Sequence, residues 1–387
     1  MAEQRDIPFP VEEYRARLTG VQERMRSRDI DVLLAYTPEN INYLTGYNTT
    51  GYYVYQCLLV PADRDPIMVT RELERDNVTM GTWLDDCRIF SDTEDPVETT
   101  CNAIAEFGFA DKRVGFESTS WFLQLRDYQQ TVSLLPNAEV KDGGNIVEES
   151  RVVKSPLEIE AIREAARIVA KGMQAGIDAA RPGVTDNYVA GELTRTLYAE
   201  GSLYFAGQPY VASGRRTGRG HITFANVTLE PGDPVFFEIS ANVKRYSASL
   251  MRTISLGPPD DEVKRVAEAS IAGVTAAVEN MGPGMTSHDA DAFCRNAIAK
   301  AGYGHLFNHR TGYSIGVGYP PGWGEGHIMD IKPDDPRVLK PGMTFHLTPA
   351  LLMPGVAGPG FSETVLITED GAETLTSFPR EFLVKEV

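Results

Sequence analysis

Cysteine is scarce in this 387-residue chain. Its four cysteines, Cys57, Cys87, Cys101 and Cys294, show no Cys-x-x-Cys spacing. That excludes a zinc ribbon, an iron–sulfur cluster and a disulfide scaffold, and leaves free thiols suited to a reducing compartment. Basic charge is also short, with 37 Lys and Arg against 54 Asp and Glu, a net charge of -17. Such a surface repels phosphate backbones and anionic membranes, so no nucleic-acid partner is expected. No run approaches the roughly 20 apolar residues of a membrane helix, and the opening MAEQRDIPFPVEEYRARLTG has no apolar core. The expectation is a cytoplasmic protein with no membrane partner. Repeats and low-complexity tracts are absent as well.

What is present suits two globular domains. Apolar residues make up 42% of the chain and charged residues 24%, which is ordinary for an enzyme-sized protein and rules out global disorder. Val11, Tyr14, Leu18, Val21 and Met25 fall on one face of a helix over 9–29. Apolar runs at 30–36, 52–61, 66–70 and 113–117 predict strands, NYLTGY continues the strand-like pattern with aromatic and β-branched residues, and 119–134 predicts a helix. Alternating strands and helices predict a small α/β domain over 1–148. The Gly-Gly, Pro and charges of 141–156 place a linker near its end. Beyond it, Ser155 and Pro156 open a helix over 156–181, followed by helices at 186–201, 260–281 and 286–301. Strands are expected at 234–240, 246–256, 344–352 and 361–368. Segregated helices and antiparallel strands make the second domain, 149–387, α+β.

Four segments of the second domain place glycine turns beside polar side chains: SGRRTGRGHITF, DPVFFEISANVKRYSASLMRTISLG, HRTGYSIGVGYPPGWGEGH and LKPGMTFHLTPALLMPG with its sequel GFSETVLITEDGAE. Loops on a rigid scaffold present chemistry in this way. Glu238 stands between Phe236, Phe237 and Ile239, a carboxylate in an apolar wall, where desolvation makes it more basic. On the opposite face of its strand it would instead meet solvent. His221 lies in a glycine-rich loop and suits proton transfer near neutral pH. His327 and His346 lie close to the same motifs.

Together with NYLTGY and SRVVKSPLEIEAIREAARI, these segments resemble the creatinase/aminopeptidase P/prolidase superfamily over nearly the whole length. The resemblance implies a pita-bread C-terminal catalytic domain behind a creatinase-type N-terminal domain, and a homodimer. Metallopeptidases of that superfamily hold two metal ions with two Asp, one His and two Glu. The matching positions here are Glu238, Ser249, Tyr313, Thr348 and Ser362, so neither a metal nor another cofactor is expected. Two metal-free branches, creatinase and ectoine hydrolase, cleave C–N bonds of small amidine-like compounds. This chain is similar to the ectoine hydrolase branch in FFEIS, RTGYSIG, YPPGWGEG, TFHLTP and SETVLIT. Creatinase differs in carrying Glu at the position of Met251 and His at that of Tyr313.

The resemblance therefore implies a metal-independent hydrolase acting on a small cationic or zwitterionic substrate, with ectoine ring opening as the leading case. Glu238 would be nucleophile or base and His221 the proton carrier, at the position of the active-site His shared across the superfamily. Glu363, where creatinase has an active-site His, is a further catalytic candidate. Tyr313 would donate a hydrogen bond, Glu325 would face a cation, and Trp323 would stack on a flat amidinium. A substrate carboxylate calls for an arginine, and Arg215, Arg216 and Arg310 stand in suitable segments. Tyr52 and the neighbouring Tyr53 and Tyr55 would reach a partner's cleft in a dimer. A creatinase-like amidinohydrolase of a linear guanidino compound, a metal-dependent Xaa-Pro peptidase and a silent binding scaffold are the alternatives.

Overall fold

The computed structural model describes residues 5–387. The chain divides into two compact units, Met1–Arg151 and Val152–Val387. The sequence reading places that division three residues earlier.

The first unit is built on a six-stranded mixed sheet. Its strands are Val32–Ala35 (β1), Cys57–Pro61 (β2), Ile67–Arg71 (β3), Cys87–Phe90 (β4), Arg113–Phe116 (β5) and Glu139–Asp142 (β6), in the order β4-β3-β2-β1-β5-β6. Central β1 is buried at every residue, as expected of a strand covered on both faces. The expected first helix runs over Val11–Ser27 and buries Tyr14, Leu18, Val21 and Met25. NYLTGY, read as strand-like, instead forms the helix Pro38–Thr45 and its cap. Gly46 ends that helix at φ +85, and a Cβ there would lie 2.9 Å from the Tyr14 hydroxyl. Both constraints demand glycine.

The second unit carries a ten-stranded sheet. In chain order the strands are Tyr210–Ser213 (β7), Pro234–Val243 (β8), Tyr246–Leu256 (β9), Gly312–Tyr319 (β10), Gly322–Gly324 (β11), Asp330–Ile331 (β12), Thr344–Leu347 (β13), Glu363–Ile367 (β14), Ala372–Thr374 (β15) and Leu383–Lys385 (β16). The main path is β15-β14-β13-β10-β9-β8-β7. Four helices accompany it: Pro156–Ala179, Asp186–Ala199, Asp261–Asn280 and Ser287–Lys300. All four start within a residue of the sequence expectation, and three of them open on a side-chain cap. Ser155 closes a capping box with Glu158, Thr185 accepts from Tyr188 N, and Thr286 closes a box with Asp289.

Helix packing decides which strand face is left for chemistry. On β8 the residues Val235, Phe237, Ile239 and Ala241 point one way, toward the helix Pro156–Ala179, whose Gly176 approaches Phe237. On β13 and β14, Phe345, Leu347, Val365 and Ile367 join the core beneath Asp261–Asn280 and Ser287–Lys300. Side chains alternate along a strand, so Glu238, His346 and Thr364 take the face away from the helices. Among the described residues no helix is long and apolar enough to cross a membrane.

The two helices Pro156–Ala179 and Asp186–Ala199 approach closely at Gly172, where a Cβ would lie 2.4 Å from Leu197 Cδ2. A Gly172→Val variant is expected to lose about 1–3 kcal/mol of stability through overpacking. Urea unfolding checks this, with a lowered midpoint at an unchanged m-value as the expected result.

Candidate active site

Cross-strand register assembles the site. β7 pairs with β8 so that Tyr210 lies opposite Glu238, and β8 pairs with β9 so that Glu238 lies opposite Met251. β10 pairs with β13 so that Tyr313 lies opposite His346, which in turn faces Thr364 on β14. Paired residues share a face. Two rows, Tyr210–Glu238–Met251 and Tyr313–His346–Thr364, therefore occupy the helix-free surface of one sheet.

Glu238 is half-buried. Its carboxylate accepts no hydrogen bond among the described residues, and the rings of Tyr210 and Tyr313 lie within reach of its charge. Desolvation alone raises its pKa to about 7. His221 is exposed, at a left-handed φ of +56 in the loop behind β7. Its ring centroid is 6.0 Å from that of Tyr210, which bridges it toward Glu238. Gly218 lets this loop close, because a Cβ there would meet the Met353 carbonyl at 2.5 Å.

Tyr313 sits in a tight polar frame. Trp323 Nε1 donates to its hydroxyl at 2.9 Å, and that hydroxyl lies 2.9 Å from His346 Nδ1. His346 Nε2 is 2.7 Å from Ser362 Oγ, which also accepts from Met251 N at 2.6 Å. His346 is fully buried, and desolvation followed by the charge of Arg252 lowers its pKa to about 3, so the ring is neutral. Burial, reinforced by the negative Glu238, keeps the Tyr313 phenol protonated at all ordinary pH. Arg310 lies 4.7 Å over the Tyr313 ring and donates to Asp330 at 2.8 Å. Of Arg216 and Arg310, only Arg310 borders the cluster.

Several sequence expectations need correction. Glu363 is not in the site. It precedes Thr364 by one residue, so it faces the helices, where Arg252 (2.8 Å), Arg380 (3.0 Å) and Thr376 take its oxygens. Glu325 does not await a cation either, since Lys154 meets it at 2.9 Å with both side chains buried, and Ser314 adds a hydrogen bond. Arg216 is committed to Asp186 at 2.7 Å and to the Thr223 carbonyl at 2.6 Å. Trp323 is buried, edge-on to Tyr210 at 5.6 Å, with Gly207 tight against its six-membered ring. It braces Tyr313 rather than offering an open face to a ligand. Tyr52 stands in the first unit, where the sequence places it, with its ring edge-on against Phe122; its reach into a partner's cleft stays an expectation. Tyr210 carries no sequence signal and His346 stands only near the motifs, since only the strand register links them to Glu238 and Tyr313.

The five positions matched to metal ligands hold one carboxylate, three aliphatic hydroxyls and a phenol. The phenol and Ser362 are already hydrogen-bonded to His346, whose two ring nitrogens are thereby both engaged. Among the described residues no three His, Cys, Asp or Glu side chains come together as a metal-holding group. This donor set does not fit a pair of hard divalent cations.

Known proteins resemble the chain throughout. A family model for metallopeptidase family M24 matches residues 160–369, and one for the creatinase/prolidase N-terminal domain matches residues 17–153. The ectoine hydrolase of Halomonas elongata is 34% identical over 398 residues, covering 98% of this chain and 99% of its own. The Xaa-Pro dipeptidase of Lactobacillus helveticus is 27% identical over 377 residues, covering 95% and 98%. A prolidase from Thermococcus sibiricus superposes with a TM-score of 0.87 at 24% identity, covering 96% of this chain and 99% of its own. A prolidase from Pyrococcus horikoshii OT3 gives 0.84 at 25% identity, covering 95% and 100%. The second unit thus has the pita-bread fold.

The raised pKa of Glu238 has a thermodynamic signature. Folding favours its protonated form, so the contribution is fully present below pH 4.5 and is lost as pH rises toward 7. Between pH 4 and pH 8, Glu238→Gln is expected to gain on the parent by on the order of 3 kcal/mol. Urea unfolding of both proteins at several pH values tests this, and parallel curves would contradict it.

Proposed function

Because the chain belongs to metallopeptidase family M24, whose members include hydrolases, we propose that it hydrolyses a C–N bond of a small cyclic amidine without a metal, opening the ring of ectoine to an N-acetyl-diaminobutyrate. One observation carries this reading: Glu238 is a desolvated carboxylate without a hydrogen-bond partner among the described residues, on a surface where the donor set does not suit metals. A partly buried anion of this kind is stabilised by a cationic ligand. An amidinium supplies the cation, and its central carbon is the electrophile. The full-length similarity to the Halomonas ectoine hydrolase adds support.

Water attacks the amidinium carbon, and Glu238 takes the proton that water loses. The tetrahedral adduct carries one oxygen and two nitrogens. A proton delivered to the departing ring nitrogen lets that C–N bond break, and the remaining hydroxyl loses its proton as the amide carbonyl forms. His221, exposed and without a hydrogen-bond partner among the described residues, carries protons between these stages. Arg310 has donors to spare for a substrate carboxylate beside Tyr313. Direct attack by Glu238 would break the same ring C–N bond to leave an imidoyl ester on its carboxylate, which water hydrolyses to the same amide.

The decisive assay incubates EDTA-treated protein with ectoine and with creatine. Ectoine is expected to be consumed and N-acetyl-diaminobutyrate to appear. Urea release from creatine would favour a linear guanidino substrate. Cleavage of a Xaa-Pro dipeptide only after Mn²⁺ is restored, with ectoine untouched, would overturn the reading. Glu238→Gln and His221→Asn are each expected to lower kcat by about 10²–10⁴. The acidic limb of kcat/KM should fall with an apparent pKa near 7, set by Glu238 flanked by Tyr210 and Tyr313.

A further inference from the structure

The hydrogen-bond frame around Tyr313 has a direction. Its two ends are donors only: the indole N–H of Trp323 and the backbone N–H of Met251. Between them lie the Tyr313 hydroxyl, the neutral His346 ring and the Ser362 hydroxyl. Ser362 Oγ is fully buried and has two partners, Met251 N and His346 Nε2. Met251 N can only give a proton, so His346 Nε2 is the acceptor available to the Ser362 hydroxyl proton. If Nε2 carried the hydrogen instead, a buried hydroxyl proton would be left unsatisfied, which costs about 1–3 kcal/mol. Accepting at Nε2 puts the imidazole hydrogen on Nδ1, which then donates to Tyr313 Oη. Trp323 donates to the same oxygen. Both phenol lone pairs are filled, and the phenol proton has no acceptor within the frame.

We infer that Tyr313 is a donor-only group held toward Glu238, and that its hydroxyl stabilises the oxygen that water brings to the amidine carbon; this rests on the proposed reaction. Trp323 links the two rows, since it donates to the Tyr313 hydroxyl and lies edge-on 5.6 Å from Tyr210, the residue opposite Glu238; the Glu238 charge reaches the Tyr313 phenol, and no hydrogen bond joins the two. A water between them gives one proton to the carboxylate while its oxygen accepts from the phenol. As the C–O bond forms, that hydrogen bond follows the oxygen through the tetrahedral adduct to the amide carbonyl, as in an oxyanion hole. Tyr313 keeps its proton throughout, so protons move only through Glu238 and His221. His346 and Ser362 are positioning residues, because they act through the phenol.

Two measurements on the full chain test this. The first is the ¹⁵N spectrum of histidine-labelled protein, whose six histidines are few enough to resolve. The ring whose signal disappears in His346→Asn should carry hydrogen on Nδ1 and a bare Nε2. A hydrogen on Nε2 there would overturn the inference, whatever the activity. The second is steady-state turnover of ectoine by Tyr313→Phe. The expected result is a fall of about 10²–10³ in kcat with KM within about threefold of the parent. A raised KM at unchanged kcat would make Tyr313 a binding residue and sink its assigned role. If the parent protein does not consume ectoine, the proposed reaction and the oxygen-stabilising role fail together. The histidine spectrum still decides the direction of the hydrogen-bond frame.

Discussion

The two-residue alternation of the long hairpin Pro234–Leu256 is the constraint on which the site depends. Each strand must bury its odd or even residues under a helix, and whatever remains faces the other way. In β8 the apolar set is Val235, Phe237, Ile239 and Ala241. That leaves Phe236, Glu238, Ser240 and Asn242 opposite Thr253, Met251, Ser249 and Ser247 of β9. A one-residue slip would put Glu238 beneath the helix and Phe237 into the site. The packing that stabilises the fold is therefore the same packing that aims the carboxylate.

The carboxylates of the second unit sort themselves by this rule and by the cost of burying charge. Glu363, Glu325 and Asp186 are all buried, and each has a cationic partner: Arg252 with Arg380, Lys154 and Arg216. A buried ion needs such a partner or must neutralise. Glu238 has none among the described residues and responds by raising its pKa. A perturbed group without a structural partner marks a functional position. The first unit offers a contrast in Glu117, whose pKa burial, with the neighbouring Glu148 charge, also raises. There the backbone N–H groups of Tyr36 and Thr37, at 2.8 and 2.7 Å, tie the carboxylate to the start of the helix Pro38–Thr45, and its role is structural.

Much of this was legible before any coordinates. The four helices of the second unit announce themselves through caps at Ser155, Thr185 and Thr286 and through apolar periodicity. The strands of the hairpin follow from β-branched and aromatic runs, and Glu238 stands out as a charge among aromatic residues. Glu363 could have been set aside by counting, since Glu363 and Thr364 lie on opposite faces of one strand and Ser362, just before it, shares the face of Thr364. Glu325 and Arg216 could not. Their partners, Lys154 and Asp186, are 171 and 30 residues away, and no local pattern announces them. Tyr210 was invisible for the same reason, because only the β7–β8 register places it beside Glu238. NYLTGY misled because its aromatic and β-branched residues suit a strand, while Pro38 and Gly46 supply helix boundaries.

The sequence by itself determined the charge balance, the two-unit organisation, the starts of the second unit's four helices and the identity of the residues at the five positions that the resemblance matches to metal ligands. Those properties are local: they depend on residue type and on spacing within one element. Tertiary structure alone decided which charged side chains are neutralised, which are left bare, and how Trp323, Tyr313, His346 and Ser362 join into one directed frame. Those depend on pairing between distant strands, where a single residue of register exchanges one face of the sheet for the other. The chemistry of this site is set by partners, and partners are a property of the folded chain.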